Sequence, residues 1–179
     1  MIFHETRLRG VFEIAIEPHR DERGFFARTW CRREFEQSGL NPELVQCSIS
    51  FNHRKGTLRG LHYQADPYPE CKLVRCTRGS IYDVAVDLRP ASPTFRQWVG
   101  VRLTARRRNM LYIPAGCAHG LLTLTDNSEV LYHISESYHP DLARGVRWND
   151  PAFAIAWPAE PVVLAERDRT YPDFQPAVD

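Results

Sequence analysis

Period two runs through most of this chain. From Ile81 to Leu88 the side chains alternate, with Tyr82, Val84, Val86 and Leu88 on one face and Asp83, Ala85 and Asp87 on the other. That is the pattern of a half-buried strand. Shorter runs of the same kind occupy 72–77, 97–103, 111–113, 120–124 and 130–135, with Gly, Pro, Asn or Asp between them at roughly ten-residue spacing. The spacing predicts an all-β fold, an antiparallel sandwich or barrel. One helix is expected, over 32–38, where Phe35 is apolar among charged neighbours and Gly39 stands ready to cap it in the left-handed conformation. The carboxy-terminal region carries Pro140, Pro151, Pro158, Pro161, Pro172 and Pro176 and reads as irregular chain wrapped over the barrel. With no repeat, low-complexity tract or Gly/Ser linker, residues 1–179 are expected to form one unit.

Composition narrows the function classes. At 179 residues the chain is long enough to bury a core without disulfide or metal staples. Its 23 Lys and Arg against 22 Asp and Glu leave a formal charge of +1, so no global pull toward nucleic acid or an anionic membrane exists and any anionic ligand must be held locally. The run Arg106, Arg107, Arg108 precedes Asn109 and is read as a solvated turn. Five cysteines form no CxxC pair, which fits neither a disulfide framework nor a zinc ribbon and makes a reducing cytoplasm the simplest home. No segment has the apolar length of a signal peptide core or a membrane span; a soluble protein without nucleic-acid or membrane partners is expected.

Two of the seven histidines sit in unusual settings: His62 in GTLRGLHYQ and His119 in YIPAGCAHG. The PxGxxH of the second resembles the second motif of cupin barrels, whose histidine points into the barrel. Metal-binding cupins supply an HxH pair in the first motif. Here Tyr63 and Gln64 follow His62, and two imidazoles alone make a poor site. A barrel without metal or other cofactor is expected, with a metal-dependent oxygenase as the rival.

The segments RGFFARTW, GTLRGLHYQ, KLVRCTRGSIYDVAVDLRPASPTF, LYIPAGCAHG, EVLYHISESYHP and RGVRWNDPAFAIAWP follow one another in order. Together they resemble the RmlC family, the dTDP-4-dehydrorhamnose 3,5-epimerases, from about residue 5 to about 175. The resemblance implies a cupin-type jelly roll with a few short helices, and a nucleotide-linked 4-keto-6-deoxy sugar as substrate. The C4 carbonyl acidifies C3 and C5. Inversion there needs a base, a cation at the enolate oxygen and an acid on the opposite face. By resemblance His62 is the base, Asp168 the carboxylate that orients it, and Tyr132 the acid. Lys72 and Arg59 supply positive charge at the carbonyl and substrate, and His119 adds a hydrogen bond to the sugar.

Nucleotide binding falls by the same resemblance to Arg23, Phe26, Gln46 and Tyr138, with Arg167 where a lysine is more usual. The amino-terminal segment of the family reaches into a neighbouring subunit, which implies a homodimer in which Arg23 and Phe26 complete the partner's site. Taken singly, each of these residues has an ordinary structural use. Arg28, Ser48 and Cys117 depart from the family pattern and are expected along the nucleotide and pocket walls. They leave open a 3-epimerase of a related sugar, and a sugar-binding barrel without catalysis is the remaining rival.

Overall fold

A computed structural model describes residues 1–175; Pro176 lies outside the described residues. In chain order the elements are β1 (Ile2–Glu5), β2 (Phe12–Ala15), β3 (His19–Asp21), β4 (Gly24–Phe26), α1 (Arg32–Gln37), β5 (Gln46–Asn52), β6 (Thr57–Gln64), β7 (Lys72–Arg78) and β8 (Ser80–Asp87). Then follow β9 (Trp98–Thr104), β10 (Met110–Ile113), β11 (Cys117–Thr123), β12 (Ser128–Ile134), a 3-10 turn (Pro140–Leu142), β13 (Ala143–Gly145), β14 (Val163–Leu164) and α2 (Glu166–Arg169). One sheet runs β1-β2-β10-β7-β12-β5; the other runs β13-β6-β11-β8-β9 with β14 beside β6. Only the β14–β6 pairing is parallel among the described strands. The two sheets face each other as a jelly roll, and β3 and β4 form a separate hairpin. Among the described residues no helix is long and apolar enough to cross a membrane.

The core lies in three layers. Between the sheets, Val74, Ile81, Ala85, Leu111, Leu121 and Val130 pack together, each large apolar side chain contributing about 1.5–3 kcal/mol on burial. Outside the β12 sheet, α1 lays Phe35 over Tyr112 and Phe3, with ring centroids 6.0 and 5.5 Å apart. Gly39 closes α1 at φ +71°. Outside the β11 sheet, the irregular chain after β13 covers Val84, Val86 and Ala118 with Phe153, Trp157 and Phe174.

That third layer corrects the reading of 81–88. The strand is not half-buried: Val84 and Val86 lie under the carboxy-terminal chain, while Asp83 and Asp87 on the opposite face are fully buried too. Asp87 is bonded to Arg89, Ser92 and Thr94 and Asp83 to His119. The polar face of β8 looks into the barrel rather than into water. The carboxy-terminal chain also holds more regular structure than expected, since β14 and the four-residue α2 dock on β6.

Candidate active site

A cavity of about 720 Å³ opens between the sheets. Its β11-sheet wall carries Arg59, His62 and His119; its β12-sheet wall carries Gln46, Ser48, Lys72 and Tyr132. Arg167, Asp168 and Tyr171 come from the tail, and Tyr138 stands at the rim, 58% exposed.

Register explains the convergence. His62 is paired with His119 across β6 and β11, so both side chains share a face. Arg59 is three residues from His62 and in a regular strand would point the other way. The register shifts between His119 and Leu121, which pair with His62 and Arg59; three steps on β6 oppose two on β11, a bulge that returns both side chains to the cavity. Gly60 sits in that bulge at φ +120°. A Cβ there would meet Gly120 Cα at 2.6 Å, so only glycine fits on conformation and on space alike.

Asp168 is buried and binds two groups of β6. Its Oδ2 accepts the Gly60 N–H at 3.0 Å, and its Oδ1 lies 2.7 Å from His62 Nε2. Burial opposes its charge, but the hydrogen bonds from His62 and Gly60 and the attraction of His62 and Arg167 prevail, so its pKa falls below the ordinary carboxylate value. With Nε2–H donating to Asp168, His62 Nδ1 carries the free lone pair. An Arg167 guanidinium nitrogen stands 3.2 Å from Nε2.

A second imidazole–carboxylate pair lies deeper, His119 Nε2 being 2.8 Å from Asp83 Oδ1. Burial pushes the Asp83 carboxyl pKa up in spite of His119 and Lys72, and its Oδ2 has no hydrogen-bond partner. Tyr132 stands edge-on to His119, centroids 5.9 Å apart. Burial, then the nearby Asp83, raise its phenol well above the ordinary value against the pull of Arg59, so the hydroxyl keeps its proton at neutral pH. Lys72 Nζ is 2.5 Å from Glu70 Oε1 with both side chains nearly buried, and Arg59 Nε donates to Asn52 Oδ1 at 2.7 Å. At the rim Gln46 Oε1 accepts the Tyr138 N–H at 2.9 Å.

Among the described residues no three His, Cys, Asp or Glu side chains come together as a metal site. Both histidine Nε2 atoms face carboxylates. Gln64, where a metal-binding cupin would place a histidine, spends its amide on Tyr68 O, Ser137 O and His139 N.

A family model described as dTDP-4-dehydrorhamnose 3,5-epimerase matches residues 5–176. The dTDP-4-dehydrorhamnose 3,5-epimerase of Methanothermobacter thermautotrophicus is 44% identical over 172 residues, 94% of this chain and 92% of that one. The chain belongs to the dTDP-4-dehydrorhamnose 3,5-epimerase family. The crystal structure of the Elizabethkingia anophelis epimerase superposes with a TM-score of 0.94 at 35% identity, over 97% of this chain and 96% of that one. The Bacillus anthracis strain Ames epimerase, solved with TDP and PPi bound, gives 0.92 at 38% identity over 97% and 99%.

Within this 3,5-epimerase fold His62, Tyr132, Asp168, Lys72, Gln46, Arg59, His119, Tyr138 and Arg167 all line the one cavity. Arg23 and Phe26 do not: they lie on the β3–β4 hairpin, Arg23 paired with Asp21 and Phe26 75% exposed. Of the three departures from the family pattern only Ser48 is on the cavity wall. Cys117 packs in the core between the sheets, where burial pushes its thiol up to about 12. Arg28 bonds Glu34 at 3.3 Å, outside the cavity. Asp83, Glu70 and Tyr171 were not singled out from sequence; for Asp83 the signal was present, a carboxylate flanked on both sides by apolar residues, Ile81 and Tyr82 before it and Val84 to Val86 after it.

Proposed function

We propose that this 3,5-epimerase acts on dTDP-4-dehydro-6-deoxy-D-glucose with His62 as base and Tyr132 as acid, giving dTDP-4-dehydro-L-rhamnose. The observation that carries the reading is the pairing of His62 with Asp168 on one sheet while a neutral, desolvated Tyr132 lines the same cavity from the facing sheet. His62 Nδ1 removes the proton from C3 or C5, and Asp168 stabilises the imidazolium and fixes the ring. The C–H electron pair becomes a double bond to C4 and the C4=O π pair moves onto oxygen, where the enolate meets the Lys72 ammonium and the His119 ring, groups that act most strongly where water is excluded. Tyr132 returns a proton from the other wall, which inverts the carbon; solvent then reprotonates the phenolate and takes the proton from the His62 imidazolium. No cofactor enters the scheme.

Arg59 and Arg167 hold the diphosphate, Arg167 with a bidentate geometry a lysine lacks, and Gln46 and Tyr138 meet the nucleotide at the rim. TDP bound to the Bacillus anthracis relative supports this class of ligand. The working form is a homodimer whose β3–β4 hairpins exchange, bringing Arg23 and Phe26 to the partner's cavity. The exposed Phe26, and Ile49 at 65% exposure on the edge strand β5, support a second copy. Five free thiols, Cys47 exposed, support a reducing cytoplasm as its location.

The test is the reaction in heavy water followed by NMR: deuterium enters at both C3 and C5, and His62→Ala abolishes entry. Exchange at C3 alone would make the chain a 3-epimerase, and no exchange in the wild type would leave only a binding barrel.

A further inference from the structure

We infer that Tyr171 is a positioning residue for the His62–Asp168 pair, its ring wedged over Gly145 so that α2 stays seated on β6; the inference rests on the reading of His62 as the base. Asp168 arrives on a helix of four residues with no side-chain bond at its amino end, and it is the only buried residue of that helix. A single turn has no stability of its own, so the chain on either side must hold it. Before it, β14 pairs with Thr57 and Leu58. After it, the next large side chain is Tyr171.

Gly145 is paired with His62 across β13 and β6. A Cβ on Gly145 would fall 2.2 Å from Tyr171 Cζ and 2.4 Å from Cε2, so the tyrosine ring occupies the volume that a side chain at 145 would take. Gly145 has no left-handed φ; glycine is required there by the ring and not by the backbone. The same ring meets His62 edge-on, with centroids 6.2 Å apart and planes at 69°, and its hydroxyl lies beside Arg167. Tyr171 thus touches the strand under it, the base and the residue preceding Asp168. A 1 Å shift of a catalytic carboxylate costs about a hundredfold in rate, and the ring is what resists such a shift from the carboxy-terminal side.

The experiment measures deuterium exchange rates at C3 and C5 and the affinity for dTDP in Tyr171→Ala, Tyr171→Phe, Gly145→Ala and the double variant, with His62→Ala as control. Tyr171→Ala and Gly145→Ala are expected each to lower kcat about tenfold or more, with dTDP affinity within about threefold of wild type. Tyr171→Phe keeps the ring and the rate. Gly145→Ala costs nothing further once Tyr171 is alanine, because the space is then free. Additive losses, a fully active Gly145→Ala, or equal losses of rate and dTDP affinity in Tyr171→Ala would overturn the inference. If Gly145→Ala does not fold, the Ala and Phe variants at 171 decide it alone. Exchange persisting in His62→Ala would instead refute the base assignment and identify the failure as that of the proposed function.

Discussion

Gly60 and Gly120 lie backbone against backbone where β6 and β11 cross the bulge, with no room for a single Cβ between them. The Gly60 N–H also holds Asp168. Gly60→Ala is therefore expected to destabilise the fold by about 2–4 kcal/mol through left-handed strain and overpacking and to abolish exchange. Denaturant titration and the heavy-water assay read the two effects; a variant of wild-type stability would show that the close approach is relaxed at no cost.

Asp168 is held below the ordinary carboxylate pKa in the folded chain. A depressed carboxylate contributes stability in full above its unfolded pKa, near ~3.9, and loses it as the pH falls through the folded value. The melting-temperature gap between wild type and Asp168→Asn is expected to be constant from neutral pH to about 4 and to close below that. A gap that closes between pH 8 and 6 would assign the stabilisation to another group.

Asp83 has the opposite sign. Its pKa is raised by burial, so the ionised form costs the folded state stability above its unfolded pKa, and the cost is relieved as the pH falls. Asp83→Asn is expected to melt no lower than wild type at pH 7, yet to lose activity about tenfold to a hundredfold through the lost charged hydrogen bond to His119. A strongly destabilised but active variant would contradict both halves.

Tyr132→Phe separates abstraction from inversion. His62 still removes a proton and can return solvent deuterium to the same face, so label enters substrate of unchanged configuration while conversion falls about a hundredfold or more. Product NMR distinguishes retained from inverted centres, and normal inversion would remove Tyr132 from the acid role.

Hybrid dimers test the proposed exchange of the β3–β4 hairpins. Arg23→Ala and His62→Ala homodimers are each expected to be impaired, yet mixed dimers contain one cavity with His62 from one protomer and Arg23 from the other. Refolding equal amounts of the two together should restore activity toward about a quarter of wild type, since about half of the dimers are mixed and each of those has one intact cavity of two. Mixing without gain would place Arg23 outside the partner's cavity.

Much of this was legible from residues alone. Alternation located β8 and most of its neighbours, and Phe35 with Gly39 located α1. The period of a strand distinguishes two faces but does not say whether either is wet, so 81–88 read as half-buried when the barrel interior and a layer of carboxy-terminal chain cover both faces. Strict alternation likewise sets Arg59 and His62 on opposite faces, and only a bulge, which depends on the partner strand, reunites them. A turn as short as α2 is below any helical period, and Asp168 reads as one charge among several until a strand 106 residues earlier supplies its partner.

That separation has a consequence during synthesis. The deeper pair, Asp83 and His119, is complete once β11 has formed, whereas Asp168 emerges from the ribosome only after every strand of both sheets. A growing chain can pair its strands while it still lacks the carboxylate proposed to orient its base. The sheets are in place before the chemistry is, and a protease that cuts between β14 and α2 would leave every strand of both sheets on one fragment and the proposed base without its carboxylate.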